Sequence, residues 1–171
     1  MKIDVDDTHV VSGILQVPPR ASACYVLAHG AGAGMTHPFM AAVADGLGER
    51  RIATLCYQFP YMEQGSRRPD KPALSHATVR AVVAAAARLL PSLPLIAGGK
   101  SFGGRMTSQA QADAPMPGVR GLVFLGFPLH PRRGSNQGNT QNEKSFYHQS
   151  SIDFRCYLEM ARFEPRRRYG Q

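Results

Sequence analysis

The run Leu93 to Arg105, LPLIAGGKSFGGR, sets one serine, Ser101, among four glycines. Two chemistries use a serine in such company. A phosphate-cradling loop needs G-x-x-x-x-G-K-[ST], so that backbone N–H groups can wrap an anion, and GGKS at 98–101 matches its tail. A nucleophile elbow needs G-x-S-x-G between a strand and a helix, because the tight turn presses together the residues two before and two after the serine. The first pattern requires glycine at position 94, where Pro94 stands, and its loop would consist of Leu95 to Gly98, an apolar strand. The second is met by Gly99 and Gly103. Ser101 therefore reads as a nucleophile for acyl transfer.

Acyl transfer also needs hydrogen-bond donors aimed at the oxygen on which charge develops. HGAGAG, His29 to Gly34, follows a buried apolar run and supplies a candidate: the backbone N–H of Ala31, between Gly30 and Gly32, can meet the same point as that of Phe102. A dinucleotide site is excluded here, since G-x-G-x-x-G fails from either Gly30 or Gly32 and the next strand ends in Gln58, not an acid. Lys100 and Arg105 flank the nucleophile as possible contacts for an anionic group. His29 is read as ordering the glycine turn. His9, His37 and His76 are read as surface or capping residues.

These groups need a scaffold. KIDVDDTHVVSGILQV, Lys2 to Val17, predicts an antiparallel hairpin closed by an Asp-Asp-Thr turn and ended by Pro18-Pro19. ACYVLA predicts a strand buried on both faces. A helix follows, capped by Thr36 or His37, with Pro38 in its first turn and Phe39, Val43 and Leu47 as its apolar stripe. RIATLCYQFP predicts another strand, YMEQGSRRPDKP a polar loop, and Ala73 to Leu90 an alanine-rich helix packed through Leu74, Val82, Ala85 and Leu89. LPLIAGG is the strand before the elbow. A helix opens near Gly103 and runs through RMTSQAQAD, and GVRGLVFLGFPLHP is a last buried strand. Alternating strands and helices predict an α/β fold, a mostly parallel sheet with helices on both faces after an antiparallel start.

The chain of 171 residues is the length of one ordinary domain. Its net charge of +8 divides evenly, +4 from the first 131 residues and +4 from the last 40. No aromatic-interleaved basic motif accompanies the charge, so no specific nucleic-acid partner is implied. Three aspartates occupy the N-terminus where a secretory leader needs basic then apolar residues, which predicts a cytoplasmic protein. Cys24, Cys56 and Cys156 lack C-x-x-C spacing; they read as reduced thiols, with no metal site and no cofactor implied. From Arg132 the composition turns polar and basic, and residues 132–171 read as a tail of low order appended to a domain of residues 1–131.

VLAHGAGAGMTHPFM, FPYMEQGSRRPDKP, GGKSFGGRM and LVFLGFPLHP together resemble, in order and spacing from Ala23 to Pro131, a small domain of the α/β-hydrolase superfamily. It is the domain typified by testis-expressed protein 30 and by subunit 3 of the NSL complex. The resemblance implies the α/β-hydrolase fold, Ser101 as nucleophile, and hydrolysis of an ester-type substrate. In that fold the chain order is Ser, then Asp or Glu, then His, on loops after later strands. Nothing after Pro131 resembles those strands, so the last strands, the acid and the base are expected to be missing, through a truncated or frame-altered C-terminus. Weak or absent activity is expected. His130 is the substitute base to consider first; His148 near Asp153 is another. The partner is a small ester-like molecule or, if the domain is a non-catalytic module, a protein. An uncovered last strand would leave Gly121 to Phe127 as an apolar edge open to self-association.

Overall fold

A computed structural model describes residues 1–127. The hairpin forms as expected: β1 (Lys2–Asp4) pairs antiparallel with β2 (Val10–Gln16). Its turn is set by Asp6, whose carboxylate accepts from the backbone N–H groups of Thr8 and His9, each at 2.8 Å. Those bonds favour the ionised form and hold the Asp6 pKa well below the usual carboxylate range.

β3 (Ala23–Ala28), β4 (Ile52–Tyr57), β5 (Leu95–Lys100) and β6 (Val119–Leu125) are mutually parallel, and the six strands form one sheet in the order β1-β2-β4-β3-β5-β6. β2 joins the parallel part antiparallel to β4. Successive β3 side chains point to opposite faces. Cys24, Val26 and Ala28 enter a core shared with α3 (Pro72–Leu89) and α4 (Phe102–Asp113), while Tyr25 and Leu27 enter a second core under α1 (Pro38–Gly48). Helices thus cover both faces. Cys24 and Cys56 also lie in different cores, so the sheet separates them; both are free thiols, and burial pushes each up to about 11.

Three sequence expectations shift. In α1 the fully buried residues are Met40 and Ala44, with Phe39, Val43 and Leu47 packed at the margin. A helical side chain covers the turn before its own Cα, so the covered stripe lies one residue later than spacing alone implies. In α3 the buried face runs from Ser75 through Thr78, Val79, Val82, Val83, Ala85 and Ala86, whereas Leu89 in the last turn is exposed. Within the expected polar loop, Pro60–Glu63 forms a single helical turn, α2. Asp70 holds it by accepting from the Tyr61 N–H at 3.0 Å, and Glu63 ties it to β2 by accepting from the Ser12 N–H at 2.6 Å.

β6 is the last strand on its side of the sheet among the described residues. The expected boundary at residue 131 and the tail beyond it lie outside them.

Candidate active site

In an open α/β sheet the carboxyl ends of the parallel strands form the reactive rim. β3 and β5 are neighbours there, with Ala28 opposite Gly99, so the glycine loop after β3 and the turn after β5 leave the sheet side by side. Ser101 stands alone between the end of β5 and the first residue of α4, with φ 48° and ψ −107°. That backbone conformation costs about 1–3 kcal/mol and persists only where the surroundings over-determine it. They do so here. The Ser101 N–H donates to the Leu125 carbonyl of β6 at 3.0 Å, and its own carbonyl accepts from the Arg105 N–H at 3.0 Å. Among the described residues the Ser101 hydroxyl makes no hydrogen bond.

The elbow glycines are required by contact, first of all with β3 and the residue after it. A methyl group on Gly103 would sit 2.5 Å from the His29 carbonyl oxygen and 2.6 Å from the Ala28 Cβ. One on Gly99 would overlap the Ala28 carbonyl. Both positions therefore press on β3. It is Gly104 that meets Gly99, where a methyl would lie 2.8 Å from its carbonyl oxygen. Gly98 completes the set: a methyl there would overlap the Val123 carbonyl of β6. G-x-S-x-G thus names only half of the glycines that bring β3, β5, β6 and α4 together.

The glycine loop is held differently, by side chains. His29 is fully buried; its Nδ1–H donates to the Gly30 carbonyl at 2.8 Å and its Nε2 accepts from the Phe59 N–H at 3.1 Å. A backbone N–H can only donate, so the proton must sit on Nδ1, and both nitrogens are occupied. Burial holds the imidazole pKa below its ordinary value, outweighing the bond to Gly30. His29 orders the loop, in the role expected of it, and has no free nitrogen for proton transfer. Gln58, at the end of β4, accepts from the Met35 N–H at 2.9 Å. Tyr61 and Phe59 pack edge-on against Phe102, with ring centroids 6.2 and 5.3 Å away. Apart from His29, none of these anchors was read from sequence as holding the loop; the one available signal was a polar Gln58 closing an otherwise apolar strand.

Ala31 and Gly32 form the exposed tip of this loop, with Gly32 at φ 74°. Lys100 runs beside Gly30, with its stem atoms 3.7 and 3.9 Å from where a Gly30 methyl would lie, and places its Nζ 3.8 Å from the centre of the Phe39 ring. Arg105 is exposed in the first turn of α4. The remaining histidines stand elsewhere. His37 caps α1 by accepting from the Phe39 N–H at 3.1 Å, and His9 closes the hairpin turn with Asp6 at 2.8 Å. His76 pairs with Asp113 at 2.9 Å, but Asp113 ends α4, about 18 Å along the helix axis from Ser101, so this pair cannot serve the elbow. His130, His148 and Asp153 lie outside the described residues. Among the described residues no group of three or more His, Cys, Asp or Glu is placed to hold a metal ion, and no helix is long and apolar enough to cross a membrane.

A strained serine between strand and helix, beside a glycine loop after the neighbouring strand, is the arrangement of one large family, and the model of an alpha/beta hydrolase domain matches residues 21–150. The chain belongs to the α/β-hydrolase family. Solved α/β-hydrolase structures share its fold. A dienelactone hydrolase from Anabaena variabilis superposes with a TM-score of 0.65 at 21% identity, over 74% of this chain and 62% of that one. Est1E from Butyrivibrio proteoclasticus, solved with ferulic acid bound, gives 0.63 at 23% identity, over 71% of this chain and 50% of that one. A lidless α/β serine hydrolase from Xanthomonas campestris gives 0.59 at 19% identity, over 72% and 58%. This α/β-hydrolase chain therefore spans about half to two thirds of these neighbours. No match was found among curated proteins.

Proposed function

We propose that this α/β-hydrolase domain carries the nucleophilic half of an ester-type serine hydrolase. Ser101 Oγ attacks the ester carbonyl carbon, and the Ala31 and Phe102 N–H groups take the oxyanion. The C–O bond to the alcohol then breaks, leaving an acyl group on Ser101 that water removes. The Ser101 proton passes to a base and from it to the departing alcohol. His130, which follows β6 by five residues, is the first residue to consider for that base. Lys100 and Arg105 favour a substrate with an anionic group. The narrower reading, a domain of the type found in testis-expressed protein 30 and NSL complex subunit 3, is supported by the four matching segments. The observation that carries the proposal is Ser101 at φ 48° on glycines that tolerate no side chain.

A second reading is a hydrolase-like module that binds a protein partner. It is favoured by the Ser101 hydroxyl, which no described residue engages. The two are separated by p-nitrophenyl acetate turnover of the chain and of Ser101→Ala. The hydrolase reading expects turnover that the substitution lowers, the sign that a base such as His130 serves Ser101, because loss of a triad base costs on the order of 10⁶ and leaves only the serine-independent catalysis of the oxyanion hole. Equal rates for the two proteins would favour the module.

A further inference from the structure

Ser101 is held from β6. Its N–H donates to the Leu125 carbonyl at 3.0 Å, so the strained φ of 48° depends on β6 keeping its register with β5. Yet β5 offers β6 little grip at this point. Sheets gain stability from pairs of side chains on neighbouring strands, and the partners of Val123 and Phe124 are Gly98 and Gly99, which have none to offer.

The grip comes instead from one strand further in. Tyr25 of β3 is 4% exposed, and its register partner on β5 is Ile96. Residues two apart on a strand share a face, so Gly98 leaves a gap next to Ile96 on the face where the Tyr25 side chain lies. The Tyr25 hydroxyl reaches across that gap and donates to the Val123 carbonyl of β6 at 2.8 Å. A methyl group on Gly98 would lie 3.1 Å from that hydroxyl oxygen as well as overlapping the Val123 carbonyl, so only glycine lets the phenol through. Tyr25, Val123 and Leu125 pack in the same core under α1. The bond thus ties β3 to β6 over β5, and it lands two residues before the carbonyl that holds Ser101.

We infer that Tyr25 is a positioning residue for the nucleophile: by tying Val123 to β3 it keeps the Leu125 carbonyl where it bonds the Ser101 N–H. What this does for acyl transfer rests on the hydrolase reading; the tie itself does not. Tyr25→Phe removes the bond and keeps the ring. Ala44→Gly, a helix-weakening change in α1, loosens the same core without touching the tie.

The test is residue-resolved amide hydrogen exchange on the ¹⁵N-labelled full chain, on Tyr25→Phe and on Ala44→Gly, with p-nitrophenyl acetate kinetics alongside. Measured against the amide of Leu55 in the middle of β4, the Ser101 amide should exchange at least about tenfold faster in Tyr25→Phe and no faster in Ala44→Gly, since a local opening frees only the bonds it includes. Where turnover depends on Ser101, kcat should fall in Tyr25→Phe with KM unchanged, the pattern of an interaction that matters only in the transition state. Faster Ser101 exchange without Ser101-dependent turnover would support the tie and count against the hydrolase reading. Ser101 exchange that keeps step with Leu55, or Ser101-dependent turnover with kcat unchanged, would overturn the inference. So would a Tyr25→Phe chain that fails to fold, because the hydroxyl would then serve the whole sheet and not the elbow.

Discussion

The elbow and the glycine loop face each other across β3 and β5, yet they are stabilised by opposite means. At the elbow, backbone meets backbone: Gly98, Gly99, Gly103 and Gly104 admit the β3 and β6 carbonyls and the start of α4 so closely that no side chain fits. At the loop, the backbone is open to solvent at Ala31 and Gly32 and is tied down by His29 and Gln58 reaching from flanking strands. The first arrangement fixes Ser101 against its own backbone strain. The second leaves the Ala31 and Gly32 backbone at an exposed tip between fixed anchors. Under the proposed hydrolase function both serve preorganisation, one of an attacking oxygen and the other of hydrogen-bond donors.

The widest separation should come from alanine placed in each region. Gly103→Ala forces a methyl against the His29 carbonyl and Ala28, two pieces of backbone that cannot yield, and should cost about 3 kcal/mol or more. Gly32→Ala meets no atom and suffers only a left-handed φ, a cost of about 1–2 kcal/mol. Urea unfolding of the two variants beside the parent chain measures both. Equal losses would erase the distinction drawn between the regions.

A smaller effect belongs to the loop alone. The folded His29 pKa lies below the unfolded value of 6.5, so the unfolded chain binds the extra proton first. The stability that neutral His29 contributes is complete above pH 6.5 and is lost as pH falls from there through the folded value, by up to about 1.4 kcal/mol per pH unit. Asp6 and Glu63, both held below their ordinary carboxylate values, add losses only at lower pH. For Glu63 burial pushes the other way and is outweighed by the bonds from Ser12 and the Lys2 ammonium. Denaturant midpoints between pH 7.5 and 5 should therefore fall for the parent chain and stay flatter for His29→Gln. A parallel fall in both would remove His29 from the account.

The same division explains what could be read from the sequence. The elbow was legible because its constraint is steric and local: a glycine two residues either side of a serine, after an apolar strand, admits few structures. Strands β3 to β6 were legible as short apolar runs, helices α1 and α3 through their periodicity, and α4 from its place after the elbow. Of the loop's anchors only His29 was legible, as the residue that orders the glycine turn; the partners of His29 and Gln58 were not, because they are remote. His29 bonds to Phe59, 30 residues on, and Gln58 to Met35, 23 residues back. Nor was α2, a single turn too short to show a period and held by Asp70 and Ser12 from outside itself. Gly98 and Gly104 escaped notice as elbow residues because the β6 and β5 carbonyls they accommodate are set by the sheet and not by the local motif.

Whether Ser101 is a nucleophile held ready for attack is decided by exposing the full chain to a fluorophosphonate, in which Ser101 Oγ loses its proton and bonds to phosphorus as fluoride leaves, followed by intact-mass and peptide mass spectrometry. A poised nucleophile gives one adduct, on the peptide containing Ser101, formed slowly and absent from Ser101→Ala. No adduct, or an equal one in Ser101→Ala, would mean that Ser101 is not that nucleophile.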